Sequence, residues 1–153
     1  MGSPLKKFLA LDWRSQLLAG RIWAMLGYYR AAILLSSFQR LSRQMQHARE
    51  EPPRVRCNAM QLARAGHLGY LVAATARTTP WQSNCLVQVL VLQQLLQREQ
   101  IGGRLYLGAC RDATSGEMLA HAWLRCGDTV VNGGGAHERF AVLSTYCWGE
   151  GDA

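Results

Sequence analysis

Several things are missing from this chain, and each absence narrows what it can be. No Cys-x-x-Cys pair occurs among its five cysteines, Cys57, Cys85, Cys110, Cys126 and Cys147, so zinc-site spacing is excluded. No apolar stretch runs long enough to span a bilayer, because Arg21 and Arg30 interrupt the most hydrophobic segment and each would be costly at its centre. The apolar start Lys6 to Leu11 imitates a signal peptide but is cut short by Asp12 and Arg14. With an odd cysteine count, this predicts a reducing compartment, the cytoplasm, where most thiols pack as small hydrophobes and one is free to react. Stacking aromatics do not interleave with the basic residues, so a specific nucleic-acid module is not expected. After Gly133, Gly134 and Gly135 comes no Lys-Ser or Lys-Thr, so the glycine run is a loop and not a phosphate cradle. No repeat or low-complexity tract appears.

What is present suits one domain with a helical appendage. The 153 residues are 49% hydrophobic and 18% charged, enough for a sizeable core and unlike a disordered chain. The net charge of +7 is concentrated in the first half, from Lys6 to Arg64, and gives a surface attractive to anionic lipid or acidic peptide.

Apolar residues Leu17, Leu18, Ile22, Met25, Leu26, Tyr29, Ile33 and Leu34 recur at helical intervals, predicting amphipathic helices over residues 1–50, compatible with docking on a membrane surface or a partner. Pro52 and Pro53 stop that region and mark a linker, after which residues 54–153 form the second unit. A helix is predicted from Asn58, its cap, to Ala76, and a firmer one from Ser83 and Asn84 to a stop at Gly102 and Gly103. RLYLGAC, MLAHAWLRC and TVVN read as strands, with Gly127 and Asp128 as a hairpin turn. Helices followed by an antiparallel sheet make the class α+β.

Cys85 falls in the first turn of the firm helix, where free backbone amides and the macrodipole favour an anion, which is what a nucleophilic thiolate is. A strand-borne histidine, His121, follows it and has the chemistry to take the thiol proton and return it to an amine leaving group. His67, within a helix, and His137, after the glycine run, are read as structural or surface residues.

The run from Trp81 through Cys85-Leu86, the Gly102-Gly103 helix end, LYLGAC and His121-Ala122-Trp123 resembles the lasso peptide biosynthesis leader peptidases, which are transglutaminase-like cysteine proteases with a papain-like arrangement. The resemblance implies Cys85 as nucleophile, His121 as general base, no cofactor or metal, and removal of a leader from a ribosomal precursor peptide. It also implies two partners, a separate leader-recognition protein and a macrolactam-forming cyclase. Where the family places an aspartate after the second hairpin strand, this chain reads Val131-Asn132-Gly133. Two substitutes are open. Counting back from a Gly127-Asp128 turn puts Asn132 opposite Trp123 on the face that bears His121, where its side chain would fix the imidazole; Asp128 has the charge but lies at the turn. For the oxyanion, the Cys85 amide is the first donor, and Gln82 or Trp81 supplies a second.

Overall fold

In a computed structural model, residues 4–35 and 55–149 are described. The Pro52-Pro53 linker lies outside them.

Asp12, met in the sequence as the residue that spoils an apolar run, caps a helix: its carboxylate accepts from the Ser15 amide at 3.3 Å and the Ser15 hydroxyl at 2.6 Å. Burial is absent there, and these bonds hold the Asp12 carboxyl below its ordinary value. After the short α1, Pro4–Leu9, the capped helix is α2, Trp13–Leu35. Its inner stripe, Leu18, Ile22, Met25, Leu26, Tyr29 and Ile33, packs into the core. Leu17 and Leu34, which the periodicity also suggested for that face, are exposed.

Helix α3, Ala59–Ala76, opens with a reciprocal capping box in which Gln61 N–H donates to Asn58 Oδ1 at 2.8 Å and Asn58 N–H to Gln61 Oε1 at 3.0 Å. Helix α4, Cys85–Arg98, is capped by Asn84, which accepts from Val87 N–H at 3.2 Å. Eight α4 residues are buried, among them Val87, Val89, Leu92 and Leu96, so this helix is the centre of the molecule rather than an amphipathic cover. Each buried Val or Leu there contributes roughly 1.5–3 kcal/mol.

The stop after α4 differs from the sequence reading. Gln100, not a glycine, takes the left-handed conformation at φ 57°, while Ile101 N–H returns to the Leu96 carbonyl at 2.9 Å and Gln100 N–H to the Gln97 carbonyl at 3.1 Å, a Schellman closure. Gly102 and Gly103 serve packing: a Cβ on Gly103 would lie 2.6 Å from the Trp148 ring, and one on Gly102 2.5 Å from Val55 Cγ1.

Strands β1, Gly103–Arg111, β2, Met118–Cys126, β3, Thr129–Asn132, and β4, Ala141–Trp148, form one antiparallel sheet in the order β3-β2-β1-β4. Leu105, Ala122, Leu124 and Cys126 face the helices and share their core with Ile22 and Leu26 of α2. The fold is α+β, as expected, with N-terminal helices and a C-terminal sheet. Among the described residues no helix is long and apolar enough to cross a membrane.

The hairpin register corrects one expectation. Thr129 pairs with Cys126 and Val130 with Arg125, as the two-residue turn requires, but a bulge then intervenes and Asn132 pairs with Leu124, not Trp123. One inserted residue moves every later side chain to the opposite face. Asn132 therefore turns toward the helices, away from the face that bears His121.

Candidate active site

Cys85 is the first residue of α4, half-buried, and lines an open groove of about 450 Å³. One wall is a single face of α3, with Leu62, Gly66, Gly69, Tyr70 and Ala73; the other is β3 and its continuation, Thr129 to Gly133, with Gln88 one turn beyond Cys85. The walls meet where Gly69 passes β3: a Cβ there would lie 2.0 Å from the Val131 carbonyl oxygen, so only glycine permits the approach. At the start of α4, Asn84 accepts from Val87 and the Asn84 carbonyl from Gln88 N–H at 3.1 Å. The Cys85 amide has no acceptor among the described residues, which leaves it available to a developing oxyanion.

His121 sits on the outer face of β2, paired with Gly108 of β1. Gly108 has no side chain to obstruct the rings above it; a Cβ there would stand 2.9 Å from Trp123 Cζ3 and 3.0 Å from Phe140 Cβ. The imidazole lies 4.9 Å from the Phe140 ring and 5.9 Å from that of Trp123, centroid to centroid. Its Nε2 is 2.6 Å from the Gly133 carbonyl oxygen. Because a carbonyl only accepts, Nε2 carries the proton and Nδ1 is left as the basic nitrogen.

Gly133 makes this possible. At φ 76° it turns the chain over β2, so close that a Cβ would stand 2.4 Å from the Ala122 carbonyl oxygen. Its carbonyl holds His121, and the residue itself lines the groove with Cys85. Gly133 is thus common to the surroundings of both residues, and no hydrogen bond joins Cys85 to His121 among the described residues.

The other candidates fall elsewhere. The Asn132 amide donates toward the Gly69 carbonyl and Gln88 Oε1, each at 3.4 Å, and makes no bond to His121. Asp128 is fully exposed at the turn, its carboxylate 3.8 Å from Arg104, several residues along the hairpin from the imidazole. Trp81 is a plug: its ring meets Trp23 at 4.6 Å and lies where a Cβ on Gly27 would come within 3.0 Å. The Trp81 carbonyl accepts from Thr79 Oγ1 at 3.0 Å, and Gln82 is exposed in the loop before α4. His67 is exposed on α3, and the His137 ring meets Trp123 at a tilt, 5.7 Å between centroids, its Nδ1 2.9 Å from the Gly134 carbonyl.

Sequence reasoning missed Gly133, Gln88 and Gly69. Helical spacing from Cys85 points to Gln88, three residues on. The glycine run reads only as loop freedom in the sequence, and the part played by its first carbonyl leaves no signal in residue type.

The family model of the transglutaminase-like superfamily matches residues 25–145, from the middle of α2 to near the end of β4, and so includes Cys85, His121 and both walls of the groove. No curated protein and no solved structure is significantly similar to the chain. With the match covering most of its length and a fold of the corresponding α+β layout, the chain belongs to the transglutaminase-like superfamily.

Proposed function

We propose that this protein is a cysteine peptidase that removes the leader from a ribosomally made lasso peptide precursor, with Cys85 as nucleophile and His121 as base. The observation that carries the reading is the placement of Cys85: a thiol at the first residue of a buried helix, opening on a groove, its own backbone amide without an acceptor among the described residues. The superfamily commonly uses such a cysteine in peptidases and acyltransferases.

In this scheme Nδ1 of His121 takes the Cys85 proton and the thiolate attacks the amide carbonyl at the leader–core junction. The oxyanion is held by the Cys85 amide. Collapse breaks the C–N bond, the imidazolium protonates the departing amino terminus of the core, and water then hydrolyses the thioester to a leader carboxylate. Catalytic hydrogen bonds often tighten only with substrate bound, and the scheme requires imidazole and thiol to meet when a peptide enters. The Gly133 carbonyl, not Asn132 or Asp128, is the group that orients the ring.

The partners of the scheme are a leader-recognition protein and a macrolactam-forming cyclase. Supporting the first, Trp13, Leu17, Tyr28 and Leu35 are all well exposed on α2, and their spacings of 4, 11 and 7 put them on one stripe opposite the buried one. Such a stripe is the kind of surface partner proteins cover.

Mass spectrometry of a cognate precursor incubated with the protein and these partners tests the reading. A leader ending in a carboxylate supports hydrolysis, a leader ending in an amide supports acyl transfer to an amine, and an intact precursor with every partner present refutes both. That no hydrogen bond joins Cys85 to His121 among the described residues favours a second reading, a noncatalytic peptide-binding scaffold. In that case an active-site thiol probe would label Cys85 no faster than the other half-buried cysteines.

A further inference from the structure

Asn132 is 8% exposed yet lines the groove beside Cys85. Its orientation follows from a chain of acceptors. Gln88 Nε2 donates to the Ser83 carbonyl at 2.9 Å, which turns Gln88 Oε1 toward Asn132. Asn132 Nδ2 then faces that oxygen and the Gly69 carbonyl, two groups that only accept there. Oδ1 is thereby fixed as the remaining group, and among the described residues nothing donates to it. On the wall of the groove, an amide oxygen with no protein donor is open to an N–H brought by a ligand.

The groove says what would. Thr129 to Gly133 line it consecutively, whereas a strand showing only one face would contribute alternate residues. Since β3 is an edge of the sheet, the wall presents strand backbone, which matches an extended peptide. Across the groove, nothing lies within 4 Å of a Cβ built on Gly66, leaving room for a side chain.

We infer that Asn132 is a substrate-binding residue whose Oδ1 accepts a hydrogen bond from a backbone N–H of an extended peptide in this groove. The inference rests on the peptidase reading for the identity of its ligand but not for its test. Asn132 thus serves the peptide and not the imidazole.

The experiment measures alkylation of Cys85 by acetyl-trialanyl chloromethyl ketone, by three analogues each N-methylated at one amide, and by iodoacetamide. On the wild-type protein one analogue should react about 5- to 10-fold more slowly than the parent, the effect of one lost hydrogen bond. Asn132→Ala should slow the parent reagent by a similar factor, abolish that discrimination and leave the iodoacetamide rate within about twofold. The idea is overturned if no analogue is discriminated by the wild type, a result that needs no variant to fold. It is equally overturned if Asn132→Ala keeps the discrimination or slows iodoacetamide as much as the peptide reagent. Discrimination without precursor cleavage would sink the peptidase reading and leave this one standing.

Discussion

His121 Nε2 donates to the carbonyl oxygen of Gly133 at 2.6 Å, and this one bond selects the tautomer of the ring. A main-chain oxygen orients this ring, as a side-chain carboxylate or amide does in papain-like peptidases. It cannot be removed by mutating its own side chain, yet it depends on a backbone conformation that only glycine adopts cheaply.

Gly133→Ala is therefore expected to cost roughly 1–3 kcal/mol of stability, from the left-handed φ and from crowding against the Ala122 carbonyl. Precursor cleavage should fall further than stability explains at a temperature where the variant is still folded. Thermal unfolding measured beside turnover checks both parts; unchanged turnover would remove Gly133 from the site.

Cys85→Ala should abolish cleavage, and His121→Ala should lower it by about 10²–10⁴-fold, the usual worth of a positioned general base. Both variants should unfold cooperatively near the wild-type temperature, since neither side chain is part of the buried core. Full cleavage by a folded Cys85→Ala protein would end the proposed mechanism.

Gly69→Ala places a methyl group against the Val131 carbonyl and must push α3 from β3. A loss of roughly 1–3 kcal/mol is expected, as for other overpacked sites. Gly66→Ala, on the same face but in open space, should cost far less and serves as the comparison in a denaturant titration.

Arg64 and Glu99 tie α3 to α4 through two contacts of 2.8 Å. The Arg64 hydrogen bonds, the largest influence on Glu99, hold its carboxyl below its ordinary value despite partial burial. A depressed acid adds stability above its unfolded pKa and loses it as pH falls through the folded one. Both side chains are more than a third exposed, so screening limits the pair to about 0.2–1 kcal/mol. The gap between wild type and Glu99→Gln should accordingly be small at neutral pH, shrink in high salt and close in acid.

Burial, with the Cys57 thiol as a lesser contributor, pushes Cys126 up to about 12. An acid whose folded pKa is raised stabilises fully below its unfolded value and loses that contribution as pH climbs from near 9 toward 12. Alkaline unfolding curves should show this loss in the wild type and a shallower one in Cys126→Ala, after allowance for the cavity that variant creates. Native Cys126 should stay unlabelled by iodoacetamide at pH 8.

The elements were readable because their signals are local. Asn58 and Asn84 announce their helices by capping chemistry, α4 by an apolar stretch, and the hairpin by Gly127-Asp128. Cys85 and His121 were legible as residue types in a family word. The failures share a different cause. Placing Asn132 opposite Trp123 assumes an unbroken ladder, and the bulge that breaks it lies where α3 meets β3 at Gly69, a contact between residues more than sixty positions apart. Glycine favours left-handed backbone, which points to Gly102 and Gly103 for the end of α4, whereas Gln100 takes that conformation and the buried Ile101 follows it.

Helix α4 has a bearing on how the protein fails. Because it is enclosed by α2 and α3 on one side and the sheet on the other, its amides have no route to solvent that spares the rest of the core. Hydrogen exchange along Val89 to Leu96 should proceed only through global opening, so the thiol at its head cannot be displaced by a local, reversible fraying of its support. Inactivation by heat and unfolding of the whole molecule should then be one event, with no inactive but folded form preceding it.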